Sequence, residues 1–391
     1  MPPPLHRNVK ALGLVSLFTD ASSEMIYPLL PAFLTGPLRA GPAVLGVIEG
    51  LAEALAALVK IVSGRVSDRL ARRKPLVVVG YGVSSLARPL VALATVPAHL
   101  LAVRLADRLG KGVRGAPRDA LLAEVTVPGQ HGRAFGFHRA LDHAGAMAGP
   151  LLASAVLLFT SNLRVVFAAA AVPAVLAVVV LVFGVREEGP LAHAASPLAA
   201  DADAPLGSGF RRYLVVLAVF TLGNSSDAFL LLRAQETGLT LALVPLLWAW
   251  HHLVKAGTST WGGSLSDRLG RKKVILLGWT LYGLSYAGFA VARAPLQIVG
   301  LFAVYGLFHA LTEGPERALV ADLAGPSARG RAFGLFHAVS GAALLPASLL
   351  TGLLWQRYGA ATALGVGAAL AATAAAGLHL AVPEPHPARR V

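Results

Sequence analysis

Two carboxylates lie inside the first apolar run of the chain, an unusual place for charged side chains. Asp20 and Glu24 are four residues apart, so both point to one face of a helix. An unpaired charge at the centre of a bilayer costs at least about 2.5 kcal/mol, so each needs a partner, a water-filled cavity or a task. Asp227 lies in the second half of the chain where Glu24 lies in the first. Such carboxylates can carry a proton near neutral pH; structural pairing with an arginine of another helix is the alternative.

A row of cations lies in the fourth apolar run. Arg104, Arg108 and Lys111 are spaced to share one helical stripe, and Arg114 follows them. Such a stripe can bind an anionic group or hold a carboxylate of a facing helix. The corresponding helix of the second half carries acidic residues instead, among them Glu313. The opposite charges predict a balanced gate or a site with two poles.

Histidines and further charges lie in other apolar runs. A lone histidine in a membrane is usually a hydrogen-bonded packing residue, whereas His251 and His252 beside Lys255 favour water or substrate nearby. The predicted substrate-binding residues are Arg104, Lys111, Arg114, Asp142, His143, His251, His252, Lys255, His309 and Glu313.

The composition is that of an integral membrane protein. Of the 391 residues, 55% are hydrophobic and 14% are charged, with a mean hydropathy of +0.65. No run alternates with the period of two that strands need, and roughly 20 apolar residues per span leave room for about twelve helices. The runs fall near residues 11–34, 43–63, 76–96, 100–124, 133–159, 163–185, 211–235, 240–262, 274–293, 296–322, 331–355 and 359–382. The predicted fold class is an all-α membrane protein. The absence of cysteine excludes disulfides and thiolate metal sites.

The net charge of +14 indicates topology rather than nucleic-acid binding, because the cations gather in loops on one side of the predicted membrane. The opposite loops carry about one cation each, namely Arg39, Arg164, Arg293 and Arg357. Both termini are therefore predicted to be cytoplasmic. Residues 186–210 contain three prolines and small polar residues typical of a linker. This predicts a first domain over 1–185, a cytoplasmic linker over 186–210 and a second domain over 211–391.

The sequence contains an internal repeat. The stretch Gly-Arg-Ala-Phe-Gly at Gly132 recurs at Gly330, a spacing of 198 (330 − 132), and Ser-Asp-Arg-Leu at Ser67 recurs at Ser266, a spacing of 199 (266 − 67). A basic stretch between two apolar runs occurs at residues 64–74 and again at 263–273. A repeat of near-constant length predicts two equivalent halves of six helices each.

The two basic stretches resemble the loop signature of the major facilitator superfamily, Gly-x-x-x-Asp-Arg-x-x-Arg-Arg/Lys. The residues that carry the resemblance are Gly64, Asp68, Arg69, Arg72 and Arg73 in the first copy and Asp267, Arg268, Arg271 and Lys272 in the second. The resemblance covers essentially the whole chain. It implies two pseudo-symmetric six-helix bundles with a binding site between them. The basic loops must reorganise when the cytoplasmic helix ends part. We therefore expect seven of these residues to gate the exchange between conformations, namely Gly64, Asp68, Arg69, Arg72, Asp267, Arg268 and Arg271.

Two further motifs resemble signatures of the same family. The fourth-helix signature Arg-x-x-Gln-Gly-x-Gly falls on Arg108, so Arg108 resembles the residue associated with proton transfer in proton-coupled members. Lys111 and Arg114 replace the Gln and the last Gly, which makes the site more cationic. The stretch Gly145 to Pro150 resembles the fifth-helix signature of antiporters, although small residues at this spacing also permit close helix packing. Predicted proton-coupling residues are Glu24, Asp20, Asp227 and Arg108.

These features predict a secondary active transporter that works by alternating access. The leading hypothesis is proton-coupled efflux, by antiport, of a small organic compound. The alternative is transport of an anionic or zwitterionic metabolite, or of a metal ion or metal chelate. No nucleotide-binding loop or hydrolase motif is visible, so an enzyme is not expected. The expected partners are a small-molecule substrate, protons and the lipid bilayer, without a cofactor, a resident metal or nucleic acid. We expect a monomer in the inner or plasma membrane.

Overall fold

The computed structural model describes residues 5–69, 72–126, 131–186 and 206–384. The described residues form helices and connecting turns, with no strand among them, so the all-α prediction is confirmed. The helices of the first half are α1 (Arg7–Ile26), α2 (Leu30–Thr35), α3 (Pro42–Arg69), α4 (Lys74–Ala87), α5 (Pro97–Glu124), α6 (His131–Leu157), α7 (Leu163–Ala169) and α8 (Ala171–Gly184). Short 3-10 helices follow α1 and α4 at Tyr27–Leu29 and Arg88–Leu93.

The second half contains α9 (Ser208–Gly223), α10 (Ala228–Glu236), α11 (Val244–Leu269), α12 (Arg271–Val291), α13 (Pro295–Tyr358) and α14 (Ala360–Ala381). A 3-10 helix at Leu241–Leu243 precedes α11. Within the halves, α1 packs on α6 and α8, α5 packs on α3 and α4, and α12 packs on α13 and α14. Between the halves, α3 packs on α13 and α6 packs on α11.

Helix α13 is too long to cross a bilayer once. Its 64 residues would extend about 96 Å if straight, roughly three times the thickness of a hydrocarbon core. Both of its ends lie near α10, however: the indole of Trp355 donates to Glu236 at 2.9 Å, and Arg233 donates to the carbonyl of Ala292 at 2.6 Å. The chain therefore reverses direction within α13, between the candidate spans Pro295–Ala324 and Arg331–Tyr358.

Eight stretches of the described chain are long and apolar enough to cross a membrane. They are Lys74–Leu93, Arg133–Leu157, Leu163–Gly184, Ser208–Glu236, Arg271–Val291, Pro295–Ala324, Arg331–Tyr358 and Ala360–Ala381. The other four predicted runs fall on α1 with α2, on α3, on α5 and on α11. These helices contribute most of the ionisable side chains of the cavity described below.

Contacts at the basic loops repeat with the same spacing. Arg73 pairs with Glu124, and Arg271, 198 residues later (271 − 73), lies 3.6 Å from Asp322 (322 − 124 = 198). Lys74 donates to the carbonyls of residues 182 and 185, whereas Lys272 donates to those of residues 379 and 382. The contacts equate Arg73 with Arg271, whereas the sequence motif equates Arg72 with Arg271. The first loop is therefore one residue longer than the second.

The apolar core joins the two halves at one end of the molecule. One buried cluster includes Phe33 and Leu34 of the first half together with Phe229 and Leu230 of the second. A second cluster, which includes Leu12, lies within the first half near the termini. The halves are thus sealed together at the end remote from the termini, and this positions the site.

Candidate functional site

A cavity of about 350 Å³ lies between the two halves, and charged side chains form much of its wall. Its volume suits a small molecule. The lining residues are Asp20, Ser23, Glu24, Tyr27, Glu53, Arg88, Arg108, Lys111, Arg114, Arg139, Asp142, His143 and Ala146 from the first half, and Asp227, Trp248, His252 and Lys255 from the second.

Two buried ion pairs fix the helices around this cavity. Arg104 donates to the two oxygens of Glu49 at 2.7 and 2.8 Å, which joins α5 to α3. Arg88 lies 2.9 Å from Asp107 and donates to the carbonyl of Thr19 at 2.8 Å, which joins α5 to α1. Removing one member of such a pair leaves a buried bare charge, so the pairs hold the helices in place. Arg104, predicted to bind substrate, does not line the cavity.

Helix α5 presents three cations to the cavity, and each has different surroundings. Arg108 pairs with Glu53 at 2.9 Å. Lys111 is exposed to the cavity and has no hydrogen bond or ion pair within the described part of the chain. Arg114 is buried, with its guanidinium 4.3 Å from the ring centroid of Tyr81 and its Nη1 without a hydrogen-bond partner. Lys111 and Arg114 can therefore bind an acceptor from a ligand.

Three carboxylates face the cavity without an ion-pair partner among the described residues. Glu24 accepts a hydrogen bond of 2.7 Å from the indole of Trp248, and Asp227 accepts one of 2.6 Å from the hydroxyl of Tyr305. The Asp20 carboxylate makes neither a hydrogen bond nor an ion pair within the described ranges. Glu24 and Asp227 thus occupy related settings, each bonded to an aromatic donor of the second half.

A break between α9 and α10 positions Asp227. Helix α9 ends at Gly223, whose carbonyl accepts a 2.8 Å hydrogen bond from the Tyr282 hydroxyl, and α10 begins at Ala228. The apolar run predicted over 211–235 is found as one candidate span, Ser208–Glu236, which this break divides into two helices. Residues 223–227 read Gly-Asn-Ser-Ser-Asp, and their short polar side chains compete with helical backbone hydrogen bonds. This composition was the signal that sequence reasoning missed.

The histidines separate into a buried group and a lining group. His251 is 1% exposed and stacks among the aromatic rings of α11 and α13, away from the cavity surface. His252 and Lys255 line the cavity. Lys255 also pairs with Glu313 at 2.6 Å, and His309 lies 3.4 Å from the same carboxylate. His309 and Glu313 thus contact Lys255 or its partner and do not themselves line the cavity.

Helix α6 supplies another charged part of the wall. Asp142 accepts hydrogen bonds from Ser16 of α1 and, at 3.2 Å, from Arg139. His143, on the same wall, makes no hydrogen bond or ion pair with another side chain of the described residues. Asp142 is therefore tied to α1 in this conformation, whereas His143 is available to a ligand.

The antiporter-like stretch of α6 packs closely against α1. A Cβ added at Gly149 would lie 2.5 Å from the carbonyl oxygen of Ala21, and one added at Gly145 would clash with the carbonyl of Leu17. Close packing therefore accounts for both glycines. The association of this motif with antiport stays a prediction.

The cavity is closed at one end by contacts between the halves. The rings of Tyr27 and Trp248 have centroids 5.4 Å apart, and the Tyr27 and Ser226 hydroxyls are 3.3 Å apart. Farther out, Gln356 accepts a 3.3 Å hydrogen bond from the amide of Ala43.

At the opposite end, nearer the termini, polar side chains are much more exposed. The side chains of Arg139 and Glu313 are 62% and 46% exposed. The cavity therefore opens toward the end of the molecule that carries the termini.

The predicted gating residues lie at this open end. Arg271 pairs with Asp267 and Asp322, whereas Arg72 and Arg268 are exposed. Gly64 lies in α3. The side chains of Asp68 and Arg69 lie outside the described residues.

The cavity collects the four predicted proton-coupling residues and six of the ten predicted substrate-binding residues. The six are Lys111, Arg114, Asp142, His143, His252 and Lys255. Sequence reasoning did not select Arg88, Glu53, Tyr27 or Trp248 for the site. Arg88 and Glu53 had a usable signal, because each is an ionisable residue inside an apolar run. The aromatic rings had none.

Comparisons with known proteins agree with this architecture. The family model of the Major Facilitator Superfamily matches residues 12–249 and 213–391. An uncharacterised MFS-type transporter of Methanocaldococcus jannaschii is 34% identical over 359 residues, covering 90% of this chain and 89% of that protein. The multidrug resistance protein MdtH of Cronobacter sakazakii is 32% identical over 136 residues, covering 35% of this chain and 34% of that protein.

Among solved structures, that of a mutant of the nucleoside transporter NupG superposes with a TM-score of 0.82 at 14% sequence identity, covering 95% of this chain and 98% of that one. At this identity the likeness shows the fold alone. Fold, cavity and relatives together define a multi-pass membrane transporter, not an enzyme. The chain belongs to the Major Facilitator Superfamily.

Proposed function

We propose that this protein is a secondary active transporter with twelve membrane spans arranged as two six-helix halves. The four cavity-lining helix regions, α1 with α2, α3, α5 and α11, supply the spans beyond the eight apolar ones. The observation that carries the proposal is the cavity between the halves, which is sealed at one end and lined by charged side chains from both, several of them without an ion-pair partner among the described residues. Rocking of the halves about this cavity exposes it alternately to the two sides of the membrane.

Proton coupling is assigned to the carboxylates that have no ion-pair partner in the described chain. Asp20 and Glu24 lie one helical turn apart on α1, and Asp227 faces them from the second half. Arg108, held by Glu53, supplies a fixed positive charge near Glu24 that favours return of the proton to water. A proton bound to one of these carboxylates neutralises its negative charge, which a cationic group of the ligand would otherwise have to balance.

The proposed direction is efflux of a small organic compound in exchange for protons. The partial similarity to a multidrug resistance protein supports it. If the termini lie in the cytoplasm, the cavity opens to the cytoplasm and the described conformation is inward-facing. An exporter binds its substrate in this conformation.

The second candidate function is transport of an anionic or zwitterionic metabolite. Lys111 and Arg114 favour it, since both offer donors to the cavity without an ion-pair partner in the described residues. Metal transport has less support. Within the described ranges, no group of three His, Asp or Glu side chains is placed to hold a metal ion.

The test is flux in liposomes that contain the purified protein and the pH-sensitive dye pyranine. With an imposed pH gradient, addition of a transported compound should accelerate proton movement relative to protein-free liposomes. If no compound in a broad panel of metabolites and drugs accelerates proton movement, the coupled mechanism is contradicted. Flux of a compound without proton movement would reduce the proposal to uncoupled transport.

A further inference from the structure

We propose that the transported molecule is a small zwitterion, with a protonated amine bound at Glu24 and Asp227 and an acidic group bound at Lys111 and Arg114. This inference rests on the proposed transport function and names its substrate class. It follows from sorting the charges of the cavity by whether the protein itself already neutralises them.

Most charges that line the cavity are neutralised by ion pairs. The pairs are Arg108 with Glu53, Arg88 with Asp107, Arg139 with Asp142, and Lys255 with Glu313. The lining residues that remain without an ion pair among the described residues are Asp20, Glu24, Asp227, Lys111 and Arg114. Three negative and two positive groups are thus left for protons and a ligand to satisfy.

The two unpaired cations form one pole on α5. Lys111 and Arg114 are three residues apart, so they lie on one helical face. Arg114 is 5% exposed, and its Nη1 has no hydrogen-bond partner. Buried polar groups such as this guanidinium normally have hydrogen-bond partners. The guanidinium lies over the ring of Tyr81, 4.3 Å from its centroid, a contact that uses none of its N–H donors. An acidic group of the ligand supplies the missing acceptor.

The carboxylates of Glu24 and Asp227 form the other pole, together with aromatic rings. Trp248 and Tyr305 each donate one hydrogen bond to these carboxylates, which leaves other lone pairs free. Tyr27 and Trp248 add π-faces to the same wall. Carboxylates beside aromatic rings favour an organic cation, and an ammonium group brings three donors.

Asp20 lines the same cavity and completes the charge balance. It lies one helical turn from Glu24 on α1 and interacts electrostatically with Asp142, Arg114 and Lys111 as well. A zwitterion satisfies one charge of each sign, and a proton on Asp20 neutralises a further negative group. A simple lipophilic cation leaves Lys111 and Arg114 unmatched in a low-dielectric cavity, which is unfavourable.

The test is binding to the purified full chain in nanodiscs, measured as the shift in melting temperature over a concentration series. The probes are straight-chain ω-amino acids from glycine to 6-aminohexanoate, each compared with the alkylamine and the carboxylic acid of the same length. We expect at least one amino acid to bind at least about tenfold more tightly than both of its counterparts, the usual effect of one charge-assisted hydrogen bond. If no amino acid in the series does so, the two-pole site is wrong.

Variants assign the poles. Lys111→Gln removes a side chain that makes no hydrogen bond or ion pair in the described chain, so it should fold normally. It should reduce binding of the amino acid about tenfold, to the level of the amine, without weakening the amine. Glu24→Gln should weaken the amino acid and the amine alike and leave the acid unaffected. Arg357→Gln, a change at an exposed arginine remote from the cavity, is the matched control.

Two outcomes separate this inference from the proposed function. Proton-driven flux of a permanent cation such as ethidium, with no preference for amino acids, retains the transporter and refutes the zwitterion. Equal losses for the amine and the amino acid in Lys111→Gln would show that the lysine supports the fold of the cavity instead of binding an acid.

Discussion

The buried pair of Glu49 and Arg104 gives a prediction whose magnitude follows from its geometry. Arg104 makes three hydrogen bonds to Glu49, at 2.7, 2.8 and 3.0 Å, and both side chains are more than nine-tenths buried. Glu49→Gln replaces one acceptor oxygen by an amino group that faces the donors of Arg104, and it leaves the arginine charge without its partner. Breaking a buried pair in this way costs about 3–5 kcal/mol.

The assay is thermal unfolding of the purified protein, followed by the intrinsic fluorescence of its five tryptophans. We expect Glu49→Gln to melt at least about 5 °C below the wild type, from the usual relation between free energy and melting temperature. Asp267→Asn is the control, because it breaks an exposed pair with Arg271 that should contribute less than about 1 kcal/mol. A Glu49→Gln protein that melts like this control would refute the reasoning.

The double variant Glu49→Leu/Arg104→Met tests the role of Arg104. Replacing both partners by apolar residues of similar size should restore most of the lost stability. Because Arg104 does not line the cavity, the double variant should also bind substrate with unchanged affinity. Restored stability with lost binding would show that Arg104 contacts the substrate, as its sequence position predicted.

Three further predictions test other parts of the mechanism. Glu24→Gln retains an acceptor for Trp248 but cannot carry a proton. The pH-driven accumulation of substrate should therefore fall from about tenfold per coupled proton at one pH unit to none, while substrate exchange persists at concentrations high enough to offset the weaker binding. Unchanged accumulation would remove Glu24 from coupling. The chain has no cysteine, so the double variant Ala43→Cys/Gln356→Cys contains one pair of cysteines. A disulfide between them should lock the closed end of the cavity and stop flux until it is reduced. Flux in the oxidised protein would contradict alternating access at this end. Asp267→Asn should leave substrate affinity unchanged and slow transport, because Arg271 loses a partner at the basic loop; equal losses of affinity and flux would indicate misfolding.

The sequence predicted the helices well because each depends on a local apolar run. The run at 100–124 corresponds to α5 (Pro97–Glu124), and the run at 274–293 corresponds to α12 (Arg271–Val291). The break before Asp227 was missed because five polar or small residues were averaged into the surrounding apolar run. Hydropathy over a window cannot resolve an interruption of one helical turn.

The site was harder to predict, because its charges are sorted by partners that are distant in sequence. Arg104 and Lys111 look equivalent on one helical stripe. The difference is that Glu49, 55 residues away, neutralises Arg104, whereas no residue of the described chain pairs with Lys111. Which of several similar cations remains available to a ligand depends on tertiary contacts that spacing alone does not encode.

The two halves have equivalent helix arrangements, but different side-chain interactions stabilise them. Equivalent contacts establish the register: a Cβ at Gly80 would meet Arg114, and one at Gly278 would meet Thr312, with both spacings 198 (278 − 80 and 312 − 114). In this register Arg88 corresponds to Tyr286 (286 − 88 = 198) and Asp107 to Tyr305 (305 − 107 = 198).

At these positions the first half has a buried ion pair, whereas the second has aromatic rings, with Tyr305 donating to Asp227. The halves therefore offer different groups to a ligand between them. The first half supplies Glu24 and the cations Lys111 and Arg114, which have no ion-pair partner among the described residues, and the second supplies aromatic rings beside Asp227. In the zwitterion proposal, the acid of the ligand binds to the first half and its amine binds between Glu24 of the first half and Asp227 of the second. Because these two carboxylates belong to different halves, we expect the rocking that exposes the cavity to the other side to move them apart and to weaken the binding of the amine.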